Sequence, residues 1–319
     1  MRVLALPTLN LLGCVAFAGG CGGQGEVPVD ERFAGSPLLA GCPIFPRDNP
    51  WNTDISTLPV HPRSSAFISS IGADKHLHPD WGGFWQGRPA GIPYVVVGGD
   101  QPRVPVVFGY PDESDPGPYP IPPDAPIEGG PDAEGDRHVL VLDKDNRKLY
   151  ELFAAYPQPD GSWRAGSGAI FDLTTNALRP AGWTSADAAG LPILPGLVRR
   201  EEVLAGEIRH ALRFTTRRTQ RGYIAPATHW ASSSNDSNLP PMGLRLRLKT
   251  DYDISRFPEH AQVILRALKR YGLILADNGG DWFITGAHDP RWDVTDYETL
   301  KQVPGSAFEA VDTGPIVTG

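Results

Sequence analysis

The stretch Ile208-Arg209-His210-Ala211-Leu212-Arg213-Phe214-Thr215 alternates without a break. Ile208, His210, Leu212 and Phe214 share one face, while Arg209, Ala211, Arg213 and Thr215 share the other. A period of two with one polar side predicts an antiparallel strand with one face on the core and one in water. Leu244, Leu246 and Leu248 oppose Arg245, Arg247 and Lys249 in the same way. Residues 138–142, the turn-forming 143–146 and residues 148–156 read as a hairpin. Further strands are expected at 94–97, 103–109, 163–173, 222–225, 273–276, 282–285 and 307–311. Helices are few. Pro258 and Gly272 bracket one over 258–271, and Thr295-x-x-Glu298 reads as a capping box for another. Shorter helical turns fit 64–71 and 200–205. Many strands joined by long Pro/Gly connections predict a mainly β chain: an antiparallel β-sandwich or jelly-roll-like single domain over 43–315, with a few peripheral short helices.

Composition agrees. The 319 residues include 36 glycines and 33 prolines, too many turn formers for a helical bundle. Eight Trp, nine Tyr and twelve Phe at 40% hydrophobic content exclude a disordered chain. The net charge of -8 is local. Asp112, Glu113, Asp115, Asp124, Glu128, Asp132, Glu134 and Asp136 fall in one stretch, 111–136, that has no Lys or Arg and eight prolines. This acidic loop cannot be a helix or a central strand. It reads as a solvated excursion, a calcium-binding loop or a lid against the arginine-rich segment 199–221. The acidic balance and the lack of a recognition motif argue against nucleic acid as a partner.

Met1-Arg2, an apolar run over 3–18 and Gly19-Gly20 describe a signal peptide over 1–20, too short for a membrane span. Small residues directly before Cys21 resemble the lipobox of bacterial lipoproteins, with Cys21 as the acylated residue and 21–42 as a flexible tether. Plain secretion is the rival reading. Either way the expected location is exported: lipid-anchored at the cell envelope, in the periplasm or on the outer surface, or secreted. Membrane contact would run only through the N-terminal lipid. Once Cys14 is removed and Cys21 acylated, Cys42 has no partner for an intramolecular disulfide, and the protein is expected to be a monomer.

Strong catalytic signatures are missing: no Gly-x-x-x-x-Gly-Lys, His-Glu-x-x-His, Cys-x-x-Cys or Gly-x-Ser-x-Gly occurs. His76, His78 and Asp80 would project to one side of an extended segment, as two imidazoles and a carboxylate on a metal do. The cofactor expectation is therefore a divalent metal, calcium or a transition metal, or none. Trp81 and Trp85 beside them suit stacking on sugar rings, and a plugging loop explains them too. His210 on the apolar face of its strand must find a hydrogen bond or lose solvation. Glu151 shares a face with Leu149 and Phe153, and hairpin pairing brings His138 near it. His210, Glu151 and His138 thus form the candidate catalytic set, as acid, base or metal ligands, against a reading as satisfied core residues. His229, in a polar loop, and Arg209 complete the candidate substrate-binding residues. Asp172 and Asp187 are further carboxylates for a pair suited to glycoside hydrolysis.

Cys42-Pro43-Ile44-Phe45 with Asn49-Pro50-Trp51-Asn52, the run Leu77-His78-Pro79-Asp80 and residues 182–198, GWTSADAAGLPILPGLV, carry a resemblance over nearly all of 42–312. On these motifs the chain resembles a functionally uncharacterised family of exported bacterial proteins and lipoproteins. The resemblance implies an exported single domain and carries no activity or site residue with it. The functional expectation rests on the residues: a secreted or lipid-anchored enzyme acting on extracellular polysaccharide or a cell-envelope polymer, hydrolase or lyase, in a concave groove. The alternative is a non-catalytic carbohydrate-binding or cell-envelope surface module.

Overall fold

In the computed structural model, which describes residues 30–319, the alternating segment forms the strand Leu212–Thr216 inside a curled six-stranded sheet. The strand order is Phe308–Ala310, Arg245–Leu248, Leu273–Asn278, Leu212–Thr216, Phe283–Thr285 and His78–Asp80. A second sheet of four runs Ser167–Asp172, Lys148–Phe153, Val139–Asp143 and Tyr94–Val97. Strand makes up 26% and helix 16%, so the chain is mainly β, sandwich-like, with a few short helices. Glu31–Gly319 form one compact unit.

Local signals carried through well. The hairpin pairs Val139 with Leu152 through to Asp143 with Lys148. Helices occupy Ser64–Ile71, Arg200–Leu204 and Glu259–Arg270. The Val294–Glu298 helix is capped by Asp293, whose side chain accepts from the Thr295 N–H, and not by a Thr295–Glu298 box. No helix among the described residues is long and apolar enough to cross a membrane.

Three features depart from expectation. The sheets are mixed: Leu212–Thr216 runs parallel to Leu273–Asn278, Phe283–Thr285 to His78–Asp80, and Tyr94–Val97 to Val139–Asp143. The long connections make this possible, since a parallel pair needs a crossover of about a dozen residues or more. Secondly, the polar faces are not wet. All of Leu212–Thr216 and Arg245–Leu248 is buried. Arg247 donates to the carbonyls of Ile55, Ser56 and Leu58, and Arg245 to those of Pro50 and Tyr271. Burial without a carboxylate partner lowers the Arg245 pKa to about 10. Lastly, the tether expected over 21–42 ends sooner. Phe33, Leu39 and Cys42 are buried, and Leu38–Leu39 pairs with Cys42–Pro43. The expected signal peptide and Cys21 lie outside the described residues.

The acidic loop is a folded layer. Tyr119, Ile121, Ala125 and Ile127 pack with Val139, Val141, Tyr150 and Leu152 in a second apolar core. The larger core lies around the six-stranded sheet, where fully buried Trp282 meets Phe214 and Phe308 and donates its indole N–H to the Gly72 carbonyl at 2.8 Å. Trp282→Ala removes this anchor and should cost about 3–5 kcal/mol of unfolding free energy. Denaturant titration of the two proteins measures the loss, and a difference below about 1 kcal/mol would contradict this packing.

Candidate functional site

Arg213 sits on the polar face of Leu212–Thr216, buried, with its guanidinium held on three sides. Nε and one terminal nitrogen reach the two oxygens of Asp187 at 2.6 Å each, and the other terminal nitrogen donates to Thr285 Oγ1 at 2.7 Å. Asp277 lies 3.7 Å from the same guanidinium. Bidentate pairing is the geometry in which a buried arginine recovers most of its lost hydration.

A register shift brings Asp277 there. Leu212, Arg213 and Phe214 pair with Leu273, Ile274 and Leu275, but Thr215 pairs with Asp277, so Ala276 is passed over. In a regular strand Asp277 would share the core face with Leu273 and Leu275. One extra residue turns it to the face of Arg213 and Thr215. The Ala276 carbonyl accepts the Ala189 N–H at 3.0 Å instead, which ties the loop carrying Asp187 to the shifted strand. That loop is braced further. The Ser185 hydroxyl bonds the Leu191 carbonyl and receives the Asp187 N–H, and Gly190 has φ +74°, where a side chain would run into Thr228 and the Trp183 carbonyl.

A cleft of about 450 Å³ opens over this layer, lined by Glu113, Asp136, Ser185, Asp187, His229 and Asp277, with Tyr110, 63% exposed, at its rim. Burial first, and then the neighbouring Asp187 carboxylate, push the Asp277 pKa up to about 7. Arg213, 3.7 Å away, pulls the other way and is outweighed. Asp277 keeps about a quarter of its side chain accessible. A carboxyl with its pKa raised to about 7 and one side open to a polar cleft has the arrangement a general acid needs.

The predicted catalytic set does not converge there. Glu151 is sealed, and its carboxylate receives the N–H groups of Ile193 and Leu194 at 2.8–3.0 Å. Burial raises its pKa to about 7, and its work is to cap the turn Leu194–Gly196. His138 is also enclosed, with Nδ1 2.6 Å from Glu128 and Nε2 3.0 Å from the Ala186 carbonyl. Burial alone would lower its pKa, but Glu128 overrides this and carries it to about 9, so His138 clasps the acidic loop to the Asp187 loop as an imidazolium. His210 belongs to a separate buried set with Arg199 and Glu202, and Nδ1 bonds the Ala211 carbonyl. These three are structural groups, because each ring nitrogen or carboxylate oxygen is already committed inside the protein.

The predicted metal triad is likewise not gathered. His76 is exposed and bridges to Pro304, ahead of the strand His78–Asp80. The His78 ring lies flat on Phe283, centroids 3.9 Å apart. Among the described residues no group of three or more His, Cys, Asp or Glu could hold a metal ion. The acidic loop spends carboxylates on protein contacts: Asp115 on Arg179, Glu113 on Thr184, Glu128 on His138.

Of the predicted substrate-binding residues, His229 does line the cleft; its Nδ1 meets the Ala188 carbonyl and its ring stacks on Trp230. Trp85 is 72% exposed at a neighbouring cleft. Trp81 is buried against Trp292 and Tyr297, so no open ring face is left for stacking. Arg209 is an exposed partner of Glu207 and lines none of these clefts. Sequence reasoning placed Asp187 among possible carboxylates and missed Asp277 and Asp136. Asp277 ends an apolar run, LILADN, and an acid closing a strand beside glycines was the available signal. Comparison of the chain with family models, curated proteins and solved structures finds no match.

Three raised groups set a direction for stability. Glu151 and Asp277 rise from 4.5 and 3.8 to about 7, and His138 from 6.5 to about 9. Their contribution is fully present below the unfolded values and is lost as pH climbs through about 7 and then about 9. The thermal midpoint should therefore fall steadily from pH 5 to pH 9. Asp277→Asn, which carries no charge beside Asp187 at any pH, should lessen the fall below pH 7, leaving the part due to Glu151, and raise the midpoint at pH 8 by several degrees. Calorimetry of both proteins across this range tests it, and a wild-type midpoint that rises with pH overturns it.

Proposed function

We propose that the protein is a hydrolase that cleaves glycosidic bonds of an extracellular polysaccharide in the cleft over Asp187 and Asp277. The observation that carries this reading is the partly accessible Asp277 carboxyl, held protonated near neutrality beside the Asp187–Arg213 pair. Asp277 gives its proton to the glycosidic oxygen as the C–O bond breaks. Asp136, exposed on the acidic loop and lining the same cleft, takes a proton from the water that attacks the anomeric carbon. Tyr110 offers an aromatic face to a sugar ring, and Asn278, Thr184 and His229 supply polar contacts.

Hydrolysis is favoured over elimination. A lyase acting on uronic acid needs a cation free to meet the substrate carboxylate, and the Arg213 donors are committed to Asp187 and Thr285. The leader-like start of the sequence and Cys21 support an exported enzyme, secreted or lipid-anchored at the cell envelope, acting as a monomer. A second reading, a non-catalytic glycan-binding module, is favoured by one observation: Phe84 and Trp85 are 65% and 72% exposed side by side.

A panel of soluble polysaccharides assayed for new reducing ends tests the enzyme reading. Asp277→Asn should lower the rate about 10²–10⁴-fold. The wild-type rate should fall as pH rises through about 7, because the donor loses its proton. Reducing-end release by Asp277→Asn at the wild-type rate would remove Asp277 from the chemistry. Glycan binding with no product from either protein would favour the module instead.

A further inference from the structure

The cleft over Asp277 does not end at Asp136. That residue also lines a second cleft of about 470 Å³, floored by Asp80, Glu128 and Thr285 and walled by Arg88 and Glu134. Thr285 holds Arg213 from below, so the two clefts adjoin across one buried ion pair. The second cleft in turn shares Asp80, Trp85 and Ala90 with a third of about 670 Å³, whose wall is aromatic: Trp81, Phe84, Trp85, Trp292 and Tyr297.

Charge along this path is one-sided. Asp136, Glu134 and Asp80 face the first two clefts against the guanidinium of Arg88, while Glu128 is answered by His138, Asp187 by Arg213, and Asp277 keeps its proton to about pH 7. Arg88 donates to the Asp132 carbonyl at 3.3 Å, and among the described residues no ion pair engages it. In the third cleft Lys301 and Glu298 cancel at 2.7 Å. Glu134 and Asp136 are exposed, and among the described residues no ion pair engages them. A trough lined this way repels a uronic-acid chain and concentrates cationic ligands.

We propose that the three clefts form one trough for a chain of amine-bearing sugars. Ammonium groups on rings next to the scissile bond meet Asp136 and Glu134, and a ring further along stacks on Trp85. This deepens the polysaccharide reading and rests on it.

The test measures binding of three hexasaccharides, of glucosamine, N-acetylglucosamine and galacturonate, to the full chain carrying Asp277→Asn at pH 6. The glucosamine hexamer should bind at least about tenfold more tightly than the N-acetylated one, which is what two or three part-exposed ion pairs supply. Galacturonate should not bind. Adding Glu134→Gln and Asp136→Asn should erase the tenfold preference. Trp85→Ala should weaken the hexamer and leave the glucosamine disaccharide unchanged. Equal affinity for the amine and its acetylated form, or binding of galacturonate, overturns the charge selection while leaving hydrolysis of a polysaccharide standing. Failure of every hexamer to bind, with no product from any polysaccharide in the panel, overturns both.

Discussion

The guanidinium of Arg213 is enclosed, and the layer beneath the cleft is arranged to neutralise it. Placing an ion inside a protein costs several kcal/mol even after relaxation, unless partners replace the lost water. Asp187 supplies a full carboxylate in bidentate contact and Thr285 an oxygen. His138 adds a second buried cation, and Glu128 answers it. Two positive and two negative groups then balance. Asp277, set beside them, is desolvated by burial and faces the Asp187 carboxylate, and together these outweigh the pull of Arg213 at 3.7 Å, so its pKa rises to about 7. The raised carboxyl of the cleft thus depends on the same enclosure that buries Arg213.

The sealed groups explain why the cleft holds its shape. His138 reaches the acidic loop through Glu128 and the Asp187 loop through the Ala186 carbonyl. Glu151 pins the turn that follows the Asp187 loop by accepting two backbone N–H groups. Both look chemically capable and both spend that capability on positioning. A buried polar side chain with every bond satisfied is a constraint on the backbone, whereas a reactive one needs an open side. Asp277 has that open side, and His138, His210 and Glu151 do not.

Much of the fold was legible because its signals are local. The hairpin from Val139 to Phe153, the helix Glu259–Arg270 and the helix Ser64–Ile71 follow from periodicity and turn residues, whatever surrounds them. The fate of a polar face is not local. Arg213, Arg245 and Arg247 alternate like surface residues, yet other segments cover them and supply oxygens from far along the chain. The acidic loop misled for the same reason: its prolines and carboxylates suggested solvent, while Tyr119, Ile121 and Ile127 between them are core. Of the cleft residues, His229 was readable from its polar loop. Asp277 was not, since strict alternation assigns it to the apolar face of Leu273 and Leu275.

That misassignment has a consequence for how such a cleft arises. Asp277 reaches Arg213 because one residue, Ala276, is passed over in the pairing with the neighbouring strand. The difference between an acid in a cleft and an acid pressed against apolar neighbours is therefore one of register, not of residue type. A regular pairing that kept Ala276 in the ladder would leave every residue in place and turn Asp277 toward Leu273 and Leu275. The position of this acid is written in how two strands pair, and a catalogue of substitutions, however complete, would pass over it.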